Sequence, residues 1–155
     1  MKNFNYIRTY EWGLLLLAIC ITVLYCVFAT PFYEWLYPGT AEYGNMMYNS
    51  NMYLIVAILS TIIVWVLALS FYVFIDRAWH RRFIAWLITL LIVILLTPSV
   101  GVIYASSELE DMLSPILEND LRNFGFINIA VCAVYYFVVS LCVKGLSKNC
   151  ATTPF

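Results

Sequence analysis

Ionisable side chains are scarce in this chain. Lysine, arginine, aspartate and glutamate make up 11% of its 155 residues, and histidine occurs once. A soluble domain carries about a quarter charged residues. With 64% of residues hydrophobic, too little polar surface is left to cover a core, and lipid must cover it instead. A net charge of −1 provides no basic footprint for nucleic acid. The six glycines form no phosphate-cradling loop. The five cysteines, Cys20, Cys26, Cys132, Cys142 and Cys150, contain no CxxC pair and none falls in a segment suited to extracellular disulfides. One histidine cannot build a zinc site, which takes three or four ligands. These absences argue against an enzyme, a cofactor, a nucleic-acid partner and a small-molecule substrate.

What the chain does have is length in apolar runs. Four are long enough to cross a bilayer, which takes roughly 20 residues of helix: about 12–30, 52–75, 83–104 and 124–143. The first reads as a span rather than a cleaved signal. Its apolar stretch of about 16 residues exceeds the usual ~7–15, and Glu11 interrupts the basic flank. No repeat or linker divides the sequence. The expected fold is all-α: a four-transmembrane-helix bundle forming one domain over residues 1–155.

The basic residues orient it. Lys2 and Arg8 precede the first run, Arg77, Arg81 and Arg82 join the second to the third, and Lys144 and Lys148 follow the fourth; only Arg122 lies on the other side. Lysine and arginine concentrate in cytoplasmic loops, so both termini are expected in the cytoplasm. Glu34, Glu42, Glu108, Glu110, Asp111, Glu118 and Asp120 then fall in the two outer loops. The localisation implied is an integral, multi-pass protein, in the inner cell membrane if the source is bacterial.

Residues 76–82, DRAWHRR, form the short cytoplasmic hairpin. Arg77, Arg81 and Arg82 act as the positive-inside lock. With His80 they also make a basic face that could receive an acidic partner. His80 itself reads as an interfacial, solvated side chain rather than a ligand.

The outer loops carry unusual composition. Residues 31–51 hold Phe32, Tyr33, Trp35, Tyr37, Tyr43 and Tyr48, rings suited to the headgroup level or to a partner interface. Tyr37-Pro38-Gly39-Thr40 suits a type II turn. Residues 105–123 place Leu109, Met112, Leu113, Ile116, Leu117 and Leu121 at helical spacing, which predicts a short amphipathic helix lying flat on the outer surface. Trp35, Tyr37, Glu110, Asp111 and Glu118 are the expected partner-binding residues on this side.

Inside the runs there is no Asp, Glu, Lys, Arg or His, which weighs against a coupled transporter or proton relay. Glu11, at the edge of the first run, reads as an exposed interfacial carboxylate. Ala18, Thr22 and Cys26 recur every four residues as a small ridge for close helix approach, and Asn128 is expected to bond across the bundle to Thr97 or Ser99. The function expected is non-enzymatic: a self-associating or partner-binding subunit of a membrane assembly, with the lipid bilayer and further copies or other subunits as its partners. The alternative is an oligomeric channel, or a membrane-perturbing effector or immunity protein of a toxin or antiphage system. An enzyme acting on lipid has the least support.

Overall fold

A computed structural model describes residues 9–74, 82–108 and 115–147. The described elements are helical throughout. They are α1 (Thr9–Val27), α2 (Ala29–Leu36), α3 (Ala41–Asn49), α4 (Met52–Leu69) with a π-helical turn at Ser70–Phe74, α5 (Arg82–Glu108), and α6 (Pro115–Val143) with a closing 3₁₀ turn at Lys144–Leu146. Three segments, Met52–Tyr72, Phe83–Ser107 and Pro115–Leu146, are long and apolar enough to cross a membrane. A fourth span exists if Glu11–Val27 and Ala29–Leu36, bent by 70°, count as one. Arg77, His80 and Arg81, with Glu110 and Asp111, lie outside the described residues. Arg82 opens α5.

The 70° bend has a local cause. Pro31 has no N–H to donate to the carbonyl of Val27, and its ring crowds that carbonyl. The ladder therefore ends with the Phe28 N–H on Leu24 O at 2.9 Å and restarts with the Phe32 N–H on Phe28 O at 3.0 Å. The 19 residues of α1 rise about 28 Å, close to the ~30 Å thickness of a bilayer's hydrocarbon core.

The aromatic segment expected as a loop is mostly helical. Buried Ala29 and Tyr33 repeat at a spacing of four on α2, and buried Tyr43 and Met47 do the same on α3. The turn between them keeps its expected glycine: Gly39 has φ +56°, and a Cβ there would sit 2.6 Å from the Tyr43 ring. Thr40 caps α3, its Oγ1 accepting from the Tyr43 N–H at 3.3 Å. Asn51, left-handed at φ 54°, redirects the chain into α4, a conformation asparagine tolerates. Together α2 and α3 make a cap over one end of the long helices.

The flat outer helix is corrected in part. Pro115–Leu121 form the first turns of α6, not a separate element. Pro115 stands at the first helical position, where proline is tolerated, and nothing beyond it breaks the ladder before Val143. The stripe of this stretch, Leu117, Asp120, Leu121 and Phe124, is buried in the bundle. Residues 109–114 lie outside the description.

Two clusters fill the interior. At the capped end Tyr33, Tyr43, Met47, Tyr53, Leu121 and Phe124 pack together. At the other end Val64, Phe71, Tyr72, Trp86, Tyr136 and Val139 do so. The π turn lets the sequence neighbours Phe71 and Tyr72 both be buried, their rings perpendicular at 4.9 Å. Small residues allow close helix approach. A Cβ on Gly125 of α6 would lie 2.9 Å from Val102 of α5, and one on Gly101 of α5 would lie 3.3 Å from Val56 of α4.

Candidate functional site

Among the described residues, polar side chains between the helices form four small networks, arranged from the cap to the opposite end. Outermost, Asp120 on α6 is 7% exposed and clasps the α2–α3 turn. Its Oδ1 accepts from Tyr37 Oη at 2.9 Å, and its Oδ2 accepts from Thr40 N at 3.1 Å and Thr40 Oγ1 at 2.7 Å. Hydrogen bonds to an ionised acceptor are the stronger kind, so this clasp fixes the cap to α6. Burial in the cap raises the phenols of Tyr37 and Tyr43 above their ordinary range, and both stay neutral at physiological pH. The Tyr43 and Tyr53 rings meet edge to face at 6.5 Å, and among the described residues their buried hydroxyls find no hydrogen-bond partner.

Next, Tyr33 Oη donates to Asn128 Oδ1 at 2.6 Å. Tyr33 has one proton to give, so Tyr25 Oη, 2.6 Å away, donates to Tyr33. Cys132 Sγ also donates to Asn128 Oδ1, at 3.4 Å. Asn128 thus bonds across the bundle as expected, but to α2. Thr97 and Ser99 instead turn back on their own helix, to Val93 O and Leu95 O.

Deeper still, Thr22 Oγ1 donates to Ala18 O at 2.8 Å and accepts from Trp65 Nε1 at 2.9 Å. Tyr135 Oη, at 2.8 Å, donates to the remaining lone pair. One threonine therefore ties α1, α4 and α6. At the far end Thr89 Oγ1 donates to Trp86 O, leaving the Tyr136 hydroxyl to donate to Thr89 at 2.6 Å, while Trp86 Nε1 reaches Ser140 Oγ at 3.3 Å. In hydrocarbon each unpaired group would cost several kcal/mol. The three networks below the Asp120 clasp remove that cost with neutral partners.

Ala18 is fully buried, and Cys26 Sγ lies 3.5 Å from Thr61 Oγ1 of α4. The ridge of Ala18, Thr22 and Cys26 is thus occupied by contacts within one chain. Glu11, expected to be exposed, is partly buried against the last turn: a Cβ on Gly145 would come within 2.9 Å of its Cγ. Trp35 on α2 is 79% exposed, and Glu118 is exposed on α6. Arg122 donates to Asn119 Oδ1 at 2.7 Å. The described cysteines, Cys20, Cys26, Cys132 and Cys142, are free. Among the described residues no three His, Cys, Asp or Glu side chains gather as a metal site.

Sequence reasoning missed Asp120 as the anchor of the cap and Tyr33 and Tyr135 as the partners of Asn128 and Thr22. Asp120 did carry a signal, being the one acid on the Leu117–Leu121 stripe. No family model matches the chain, and no curated protein or solved structure matches it significantly.

Proposed function

We propose that the protein is a non-enzymatic, multi-pass membrane subunit that recognises a protein through its cap, either a second copy of itself or another member of a membrane assembly. The observation that carries this reading is the pairing of a locked cap with an exposed aromatic. Asp120 holds the α2–α3 turn with three hydrogen bonds, while Trp35 on α2 is left 79% exposed. A large ring presented on a preorganised surface is the usual anchor of a protein interface. The interior supports the same reading: below the Asp120 clasp, its hydrogen-bonded side chains are neutral groups paired with one another. The seven-to-one split of basic residues supports a four-span bundle with both termini and the hairpin in the cytoplasm and the cap outside. On that orientation the basic hairpin of Arg77, His80, Arg81 and Arg82 is a second, cytoplasmic docking face.

A photoreactive residue at position 35, activated in native membranes, tests the cap. The reading expects a discrete conjugate, with a dimer of this chain or with one other protein, and its loss on Asp120→Ala. Labelling of lipid alone would reject it. Conductance by the purified protein in planar bilayers would favour the channel alternative instead.

A further inference from the structure

We propose that the slot between the α1–α2 bend and α6 is a binding site for a single lipid acyl chain. The slot has a volume of about 530 Å³. Because α2 leaves the axis of α1 at 70°, its Phe32 and Leu36 overhang one end of the slot, and Ala130 and Val134 of α6 form the opposite wall. The rings of Tyr25 and Tyr135, 4.9 Å apart, also line it. Both hydroxyls are already used, Tyr25 toward Tyr33 and Tyr135 toward Thr22, so these tyrosines offer the slot their ring faces.

The chemistry of the lining selects an apolar occupant, and two observations select its kind. The slot opens onto the surface that faces hydrocarbon when these helices span a bilayer: of its own lining, Val134 is 64% exposed, and Ala130 and Phe32 are exposed as well. An acyl chain therefore reaches it without leaving the membrane. Size argues against a helix. The α6 wall runs over residues 127–138, roughly 16 Å, and a helix about 10 Å across laid along it would meet Phe32 and Leu36 of α2 at its Ile127 end. The slot instead falls within the roughly 300–1,000 Å³ of sites that take one small ligand. Ala130 is the small residue that keeps the wall recessed. The site is independent of any partner recognised by the cap.

The full chain, reconstituted in phosphatidylcholine nanodiscs containing phosphatidylcholine with a mid-chain diazirine, tests the proposal. After photolysis and peptide mapping, residues 21–36 and 127–138 should carry several-fold more label than the exposed face of α5 at Leu91 and Leu95, which meets bulk lipid only. Ala130→Trp, which fills the slot, should bring the labelling down to the α5 level, and Val134→Phe should do so in part. Equal labelling of the slot and the α5 face in the unmodified protein would overturn the proposal whether or not either variant folds. So would slot labelling that vanishes in nanodiscs holding two copies of the chain, which would make a second copy the occupant.

Discussion

Thr40 holds Asp120 twice, through its backbone N–H at 3.1 Å and its hydroxyl at 2.7 Å, across eighty residues of sequence. The same hydroxyl oxygen accepts from the Tyr43 N–H at the start of α3. One side chain thus caps a helix and ties it to α6. Asp120→Ala should release the cap, at a cost of about 1.5–3 kcal/mol for each hydrogen bond to the charged group that is lost. Amide exchange should accelerate across residues 37–49 and stay slow in the middle of α5 and α6. Unchanged protection in the cap would show that packing alone holds it.

Thr22 should matter to folding and not to assembly. Thr22→Val keeps the shape but leaves the Tyr135 hydroxyl without its acceptor and the Trp65 N–H with only its longer bond to Tyr135 Oη at 3.3 Å. A loss of about 1–3 kcal/mol is expected from such groups, read as a lower midpoint in detergent-mediated unfolding. Native mass spectrometry should give the same oligomeric distribution for both proteins. A changed distribution with an unchanged midpoint would move Thr22 to an intermolecular surface.

Two tyrosines in one cluster should respond oppositely to losing a hydroxyl. Tyr33 donates to Asn128, so Tyr33→Phe deprives the buried Asn128 amide oxygen of its best partner and leaves Tyr25 without its acceptor. Destabilisation of about 1–3 kcal/mol is expected. Tyr43→Phe removes a buried hydroxyl that has no partner, and the midpoint should hold or rise. Equal losses in both variants would mean that the Tyr43 hydroxyl is satisfied after all.

Pro31 should set the bend. Pro31→Ala restores an N–H for Val27 O and removes the ring that crowds it. Spin labels at Leu16 and Leu36 should then report a longer mean distance, as α2 moves toward the axis of α1. Burial of Tyr33 opposes this motion, so the change should be larger in Pro31→Ala combined with Tyr33→Ala. No change in either protein would place the cause of the bend in tertiary packing.

The membrane character of the chain, its long helices and the helical class were legible in the sequence. They follow from local and additive properties: the length of each apolar run, the absence of charge within it, and the need of every backbone group in hydrocarbon for an internal partner. The positive φ at Gly39 was legible for the same reason, since only the turn's own sterics require it. Even the bend at Phe28 was written in Pro31, just past the end of the first apolar run, although the turn into a second helix was not.

Other features were decided only in three dimensions. Tyrosine content marked residues 31–51 as unusual, but folding them into α2 and α3 depended on a buried surface supplied by Phe124, Leu117 and Leu121 far along the chain. Likewise, Asn128 had several hydroxyls within plausible reach. A serine or threonine on a helix can satisfy itself on the carbonyl four residues back, as Thr97 and Ser99 do, whereas the phenol of Tyr33 reaches across to another helix. The ridge of Ala18, Thr22 and Cys26 could equally have faced another chain; the positions of Trp65 and Tyr135 turned it inward. Apolar periodicity selects which residues avoid water. In lipid both faces of a helix satisfy that condition, so the choice between them falls to packing and to the pairing of a few hydroxyls.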